Sequence, residues 1–257
     1  MSVKQLFDLT GKVAIVTGGT RGPGLQMAEA LGEMGASLVL TGDKADDLAR
    51  SRAHLEKLGV AAIALASDTP ASDHVSALVN TVLGRCGRID ILVNNAGTNW
   101  DSPTEDSSFE TWIDEIKLNI AGMLFLTQEV GRRAFIPQRS GKVIVATSFA
   151  GLRGNPKGLR TAAYDTCRTA ELNLVRALAA EWGEHNINVN AICPGSFPSK
   201  TGGGLMKKLR GRIVSGTALG RVGGDEDLKG AVVLLASEAG RHITGHALPV
   251  DGGAGFF

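Results

Sequence analysis

The chain's one tyrosine, Tyr164, stands in the run Tyr164-Asp165-Thr166-Cys167-Arg168. On a helix, residue 168 lies one turn from residue 164 on the same face. A phenol can give a proton to a developing alkoxide when a ketone is reduced, or take one when an alcohol is oxidised. A free phenol titrates near ~10, so it is poorly matched to neutral pH unless positive charge nearby favours the phenolate. Arg168 at i+4 supplies such a charge.

A second cluster concerns phosphate. The apolar run Lys12 to Val16 leads into Thr17-Gly18-Gly19-Thr20-Arg21-Gly22-Pro23-Gly24, followed by a helical pattern with Met27, Leu31 and Met34 at i, i+4 and i+7. Glycines let a backbone turn sharply and approach a pyrophosphate, and a helix N-terminus offers free N–H groups and the positive end of its dipole. Pro23 has two readings here: a proline that starts the helix, or a phosphate donor lost for want of an N–H. Asp43 follows Gly24 by 19 residues, close to the spacing at which an acid meets the ribose 2′-hydroxyl of a dinucleotide. That acid favours NAD(H) over NADP(H).

These residues need a scaffold, and the hydrophobic pattern predicts one. Seven strand-length apolar runs recur: Lys12 to Val16, Leu38 to Leu40, Ala61 to Leu65, Ile89 to Val93, Val143 to Val145, Ile187 to Ile192 and Ala247 to Val250. Amphipathic stretches lie between them, among them Val75, Leu78, Val79, Val82 and Leu83 at helical spacing, and patterns near 120–130, 170–182 and 228–235. Continuous rather than alternating apolar runs imply strands covered on both faces. The expectation is an α/β fold, a doubly wound Rossmann-type domain with a seven-stranded, mostly parallel sheet and helices on each side. With no linker, repeat or charge block, residues 1–257 read as a single dinucleotide-binding and catalytic domain. The least regular stretch, Pro194 to Ser215, reads as a loop able to move.

Composition narrows the partners. Twenty-seven basic against 26 acidic residues leave a net charge of +1, which gives no field to hold nucleic acid or an anionic membrane. Three cysteines, Cys86, Cys167 and Cys193, form neither a disulfide framework nor a zinc knuckle, and five scattered histidines show no ligand spacing, so no metal is expected. No apolar leader or membrane-length run occurs, and the reading is a cytoplasmic protein. The basic run Lys207 to Arg212 reads as a solvated helix face or as a contact for an anionic substrate.

Order and spacing of three motifs, Thr17-Gly-x-x-x-Gly-x-Gly24, Asn94-Asn95-Ala96-Gly97 and Pro194-Gly195, resemble the short-chain dehydrogenase/reductase family over nearly the whole chain. The resemblance implies a fuller site. Thr17, Gly18, Thr20, Arg21, Gly22 and Gly24 would bind the nicotinamide dinucleotide, with Asp68 at the adenine and Asn95, Ala96 and Gly97 beside the cofactor. Pro194, Gly195 and Ser199 would hold the nicotinamide end. Asn119, Ser148, Tyr164 and Arg168 would be the catalytic set, the last two also touching the cofactor. The family's motif is Tyr-x-x-x-Lys, so Arg168 departs from it, and a planar, permanently charged fork is not equivalent to a compact ammonium. In such proteins an NAD-selecting acid stands at the position of Gly42, and a basic residue inside the glycine turn, here Arg21, favours the 2′-phosphate. With Asp43 set against Arg21 and Lys44, NAD(H) is expected with a modest preference. The branch resembled, that of gluconate 5-dehydrogenase-like and 3-oxoacyl carrier-protein reductase-like members, implies an oxidoreductase acting on a polyol, sugar acid or 3-oxoacyl substrate, assembled as a homotetramer or dimer. The alternative is a catalytically impaired dinucleotide-binding or sensor protein, motivated by Arg168 and Pro23.

Overall fold

The computed structural model describes residues 1–67, 72–98, 103–154, 159–198 and 211–256. Its strands are β1 (Val13–Thr17), β2 (Ser37–Gly42), β3 (Ala62–Ala66), β4 (Ile91–Asn94), β5 (Gly141–Ala146), β6 (Ile187–Pro194) and β7 (Ala247–Val250). They form one sheet in the order β3-β2-β1-β4-β5-β6-β7. Every pairing is parallel, so the expected mostly parallel sheet is wholly parallel among the described strands.

Alternate residues of β1 explain the two layers. Val13 and Ile15 point into a core completed by Val75, Val79 and Val82 of helix α3 (Ser72–Cys86), Leu126 and Val130 of α5 (Met123–Val130), and Leu172 and Val175 of α6 (Ala162–Trp182). Ala14 and Val16 point the other way, against Met27 and Leu31 of α1 (Gly22–Glu33), Leu48 and Leu55 of α2 (Ala45–Lys57), and Val232 and Leu235 of α7 (Lys229–Ala236). All five residues of β1 are buried, which is why its sequence shows no polar alternation. Gln26 of α1 ties this second layer to the C-terminal segment. Its Oε1 accepts from the Leu228 amide at 2.6 Å and its Nε2 donates to the Gly224 carbonyl at 2.9 Å.

The helical pattern expected near 120–130 begins earlier and is not uniform. Helix α4 (Phe109–Ile116) passes into one π turn, Lys117–Gly122, before α5 continues the same rod. No helix among the described residues is long and apolar enough to cross a membrane. The chain crosses from β3, at one edge, to β4 on the far side of β1. The sequence order thus reverses between β1 and β4 and opens a crevice at the carboxyl ends of these two strands, the place where open α/β sheets bind ligands.

Candidate active site

Two strand ends are stitched together at that crevice. Thr17, the last residue of β1, accepts at Oγ1 from the amides of Asn95 and Ala96, both at 2.9 Å. The Asn95 side chain returns the contact, its Nδ2 donating to the carbonyls of Thr17 and Gly18 at 3.1 Å each. This leaves no room for a side chain at two positions of the glycine turn: a Cβ on Gly24 would overlap the Gly18 carbonyl, and Gly18 itself sits at φ +59°. Gly22, at φ +52°, faces open space and begins α1, with Arg21 as its N-cap residue and Thr20 half-buried beside it. Pro23 lies in the first turn, where the first helical bond runs from the Leu25 amide to the Arg21 carbonyl at 3.3 Å. Its missing N–H is one this helix does not use, so Pro23 sits where a helix can begin on proline.

Asp43, just past β2, is exposed and borders a cavity lined by Leu65, Ala66, Ser67, His74 and Leu78. Ser67 Oγ is buried there without a hydrogen-bond partner. At the other end of the crevice β6 closes on Pro194, and Gly195 donates its amide to the Val250 carbonyl at 3.0 Å. A Cβ on Gly195 would stand 2.7 Å from the Asp251 Cα, so the close approach requires glycine. Asp68, Ser199 and residues 207–210 of the basic run lie outside the described residues.

The chemical end is built by α6 and the π turn. Tyr164 is half-buried near the start of α6, and the Arg168 guanidinium packs over its ring, 4.5 Å from the centroid. The π turn delivers Asn119 to the same point. Asn119 Oδ1 accepts from Arg168 Nη2 at 3.3 Å and from the Thr98 amide at 3.1 Å. Ser148, buried just beyond β5, accepts at Oγ from the Ala150 amide at 3.1 Å and caps the short turn Phe149–Gly151. That turn presses on α6, for a Cβ on Gly151 would be 2.7 Å from the Arg168 carbonyl. Gly97 is equally constrained, since its Cβ would lie 2.7 Å from both Arg168 Nη2 and Asn119 Oδ1. Of the four expected catalytic residues, then, Arg168 touches both Tyr164 and Asn119, and Ser148 stands on the turn packed against the Arg168 backbone.

Sequence reasoning missed two members of this cluster. Glu171 accepts from Arg168 Nη1 at 2.7 Å, and Glu115 accepts from Asn119 Nδ2 at 2.7 Å. Both carboxyls are buried, at 1% and 0% exposure, where ions normally occur only when paired. Burial works to strip the proton from Arg168, but the Glu171 carboxylate and Tyr164 outweigh it and hold the guanidinium above its ordinary range. The Glu171 carboxyl is pushed up by burial, and Arg168 pulls part of that rise back. Burial, with Glu115 and Glu171 adding to it, raises the Cys167 thiol to about 11, which makes it a packing group and not a ready nucleophile. Among the described residues no group of His, Cys, Asp and Glu is arranged to hold a metal ion.

These residues fit a dinucleotide. At the glycine turn a Cβ on Gly18 or Gly24 would press on the Asn95 side chain, so bare backbone is required there, and Ser67 Oγ, in the cavity beside Asp43, is a buried polar atom with no hydrogen-bond partner.

Comparison with known proteins agrees with that fit. A family model described as enoyl-(acyl carrier protein) reductase matches residues 18–255. The chain is 34% identical over 255 residues to the gluconate 5-dehydrogenase of Gluconobacter oxydans, with 98% of each chain covered. It is 36% identical over 247 residues to a 3-oxoacyl-(acyl-carrier-protein) reductase of Chlamydia muridarum, covering 95% of this chain and 98% of the relative. A crystal structure of a gluconate 5-dehydrogenase from Burkholderia cenocepacia, in complex with NADP and tartrate, is similar at a TM-score of 0.92 with 30% identity over 98% of both chains.

Proposed function

We propose that this chain, which belongs to the short-chain dehydrogenase/reductase family, uses Tyr164 as the acid/base of an NAD(P)-dependent hydride transfer between a nicotinamide and a secondary alcohol or ketone. The observation that carries the reading is the guanidinium of Arg168 packed over the Tyr164 ring while held to Asn119. A nicotinamide dinucleotide held at the glycine turn would supply the hydride in reduction and accept it in oxidation. Tyr164 gives its hydroxyl proton to the carbonyl oxygen as the negative charge develops there, and takes it back in the reverse direction. Arg168 stays protonated throughout and therefore acts as a fixed positive charge packed over the Tyr164 ring, not as a proton carrier. Ser148 is the hydroxyl assigned to orient the substrate oxygen. Thr17, Asn95 and Ala96 hold the glycine turn open for the pyrophosphate at the start of α1.

Substrates of the polyol, sugar-acid or 3-oxoacyl type are supported by the relatives' names. NAD(H) is assigned a modest preference because the exposed Asp43 carboxylate beside the cavity would repel a 2′-phosphate, with Arg21 and Lys44 as the opposing charges. The further parts of the reading are one functional unit over residues 1–257, a homotetramer or dimer, and a cytoplasmic setting.

Turnover of NADH and NADPH against a panel of polyol, sugar-acid and 3-oxoacyl ketones tests the assignment. Tyr164→Phe should abolish reduction while leaving dinucleotide affinity in place, since only the proton-bearing oxygen is removed. Dinucleotide binding by calorimetry with no turnover anywhere in the panel would instead leave a silent dinucleotide-binding protein. Binding of NADP ten times tighter than NAD would overturn the role given to Asp43.

A further inference from the structure

The Tyr-x-x-x-Arg pair leaves a geometric problem that neither residue solves alone. A guanidinium is a planar fork on a long, flexible stem, and it favours the phenolate only if it is kept against the ring. Two acceptors grip opposite arms of the fork: Glu171 Oε1 at Nη1, 2.7 Å away, and Asn119 Oδ1 at Nη2, 3.3 Å away. The second grip depends on which way the Asn119 amide faces, because the amide carries a donor and an acceptor of nearly equal size. Glu115, one turn earlier on the same rod, accepts from Asn119 Nδ2 at 2.7 Å and so turns Oδ1 toward both Arg168 and the Thr98 amide.

We infer that Glu171 and Glu115 are positioning residues for the reaction: together they aim the Arg168 guanidinium at Tyr164 and fit this site to an arginine where the family motif has lysine. Neither carboxylate touches the reacting atoms; each acts through another side chain. The inference rests on the reading of Tyr164 as acid/base. The titratable groups facing the guanidinium are Tyr164, Cys167 and Glu171 on its own helix and Glu115 from α4, with Cys193 of β6 behind Glu171.

Charge and position make opposite forecasts, which allows a test in the full-length protein. If Glu171 acted only as a negative charge opposing Arg168, removing it by any substitution would move the pH midpoint of alcohol oxidation downward. If Glu171 holds the fork, Glu171→Leu frees the guanidinium to swing off the ring. In that case kcat should fall by about tenfold or more, the pH midpoint should move upward, and KM and dinucleotide affinity should stay within about threefold. Glu171→Gln keeps an amide oxygen to accept from Nη1 without the charge. It should recover most of the activity lost in the leucine variant, with no upward move of the midpoint.

A leucine variant with kcat within about twofold of wild type, or a midpoint that moves down in both variants, would overturn the inference. Should Glu171→Leu not fold, the glutamine variant decides alone: a tenfold loss of kcat or a midpoint that moves down there overturns the role, and retained kcat with an unmoved midpoint supports it. Tyr164→Phe separates the two levels. If it keeps turnover, the acid/base reading fails and takes the inference with it. If it is dead while Glu171→Leu is unimpaired, only the inference fails.

Discussion

Replacing Arg168 by methionine removes the guanidinium bonded to Glu171 and leaves a carboxyl at 1% exposure with an apolar neighbour in its place. Such a group does not remain charged; it takes up a proton, and the cost is that of protonating a carboxyl whose ordinary pKa is 4.5. At about 1.36 kcal/mol per pH unit, that cost has a ceiling of about 3.4 kcal/mol at pH 7 and vanishes near the ordinary pKa. The sign follows from linkage. The folded variant binds a proton that its unfolded chain releases above pH 4.5, so stability is lost as pH rises through the neutral range. In the wild-type chain Arg168 pulls back part of the rise in Glu171, so the loss there is smaller. Urea unfolding of both proteins between pH 5 and 8, at one protein concentration and without dinucleotide, reads the difference directly. The gap should be small at pH 5 and widen by up to about 1.36 kcal/mol per unit above it. The double variant Arg168→Met/Glu171→Leu removes the buried carboxyl as well, and its gap to wild type should stay flat with pH. A single-variant gap equal at pH 5 and pH 8 would refute the argument, because it would mean that Glu171 is not the group whose charge Arg168 supports.

Two further outcomes follow from the same packing. Gly97→Ala places a Cβ 2.7 Å from both Arg168 Nη2 and Asn119 Oδ1, so it should part the fork from its acceptor and lower kcat by about tenfold, with a smaller effect on stability; a variant of native kcat would show that the Arg168–Asn119 contact is dispensable. Burial raises the Cys167 thiol to about 11 and the Cys193 thiol to about 12, so a maleimide should label only the half-buried Cys86 in the native protein and all three cysteines after unfolding, as counted by mass spectrometry.

Legibility from sequence divides along a physical line. The strands were readable because a chain buried on both faces is mostly apolar, as in Val13 to Val16 and Ile91 to Val93. Glycine positions such as Gly18 and Gly24 were readable because the backbone conformation and close approach they serve are local demands. The π turn at Lys117–Gly122 was not, since one extra residue in a helical turn barely disturbs the spacing of the apolar stripe, although it rotates Asn119 relative to what precedes it.

The buried carboxylates were hidden for a different reason. A glutamate on a helix is ordinarily solvated, and nothing near Glu115 or Glu171 in sequence announces that the Arg168–Asn119 contact, 49 residues apart, will enclose them. One local signal was nonetheless present: an arginine standing where a motif has lysine, with a glutamate at i+3. An arginine cannot shed its proton on burial as a lysine can, so a buried Arg168 obliges the fold to place a counter-charge within reach. The departure from the motif and the residue that accommodates it are therefore one feature. Where a buried motif cation is exchanged for arginine, an acid on the same helix face is the first place to look for its partner.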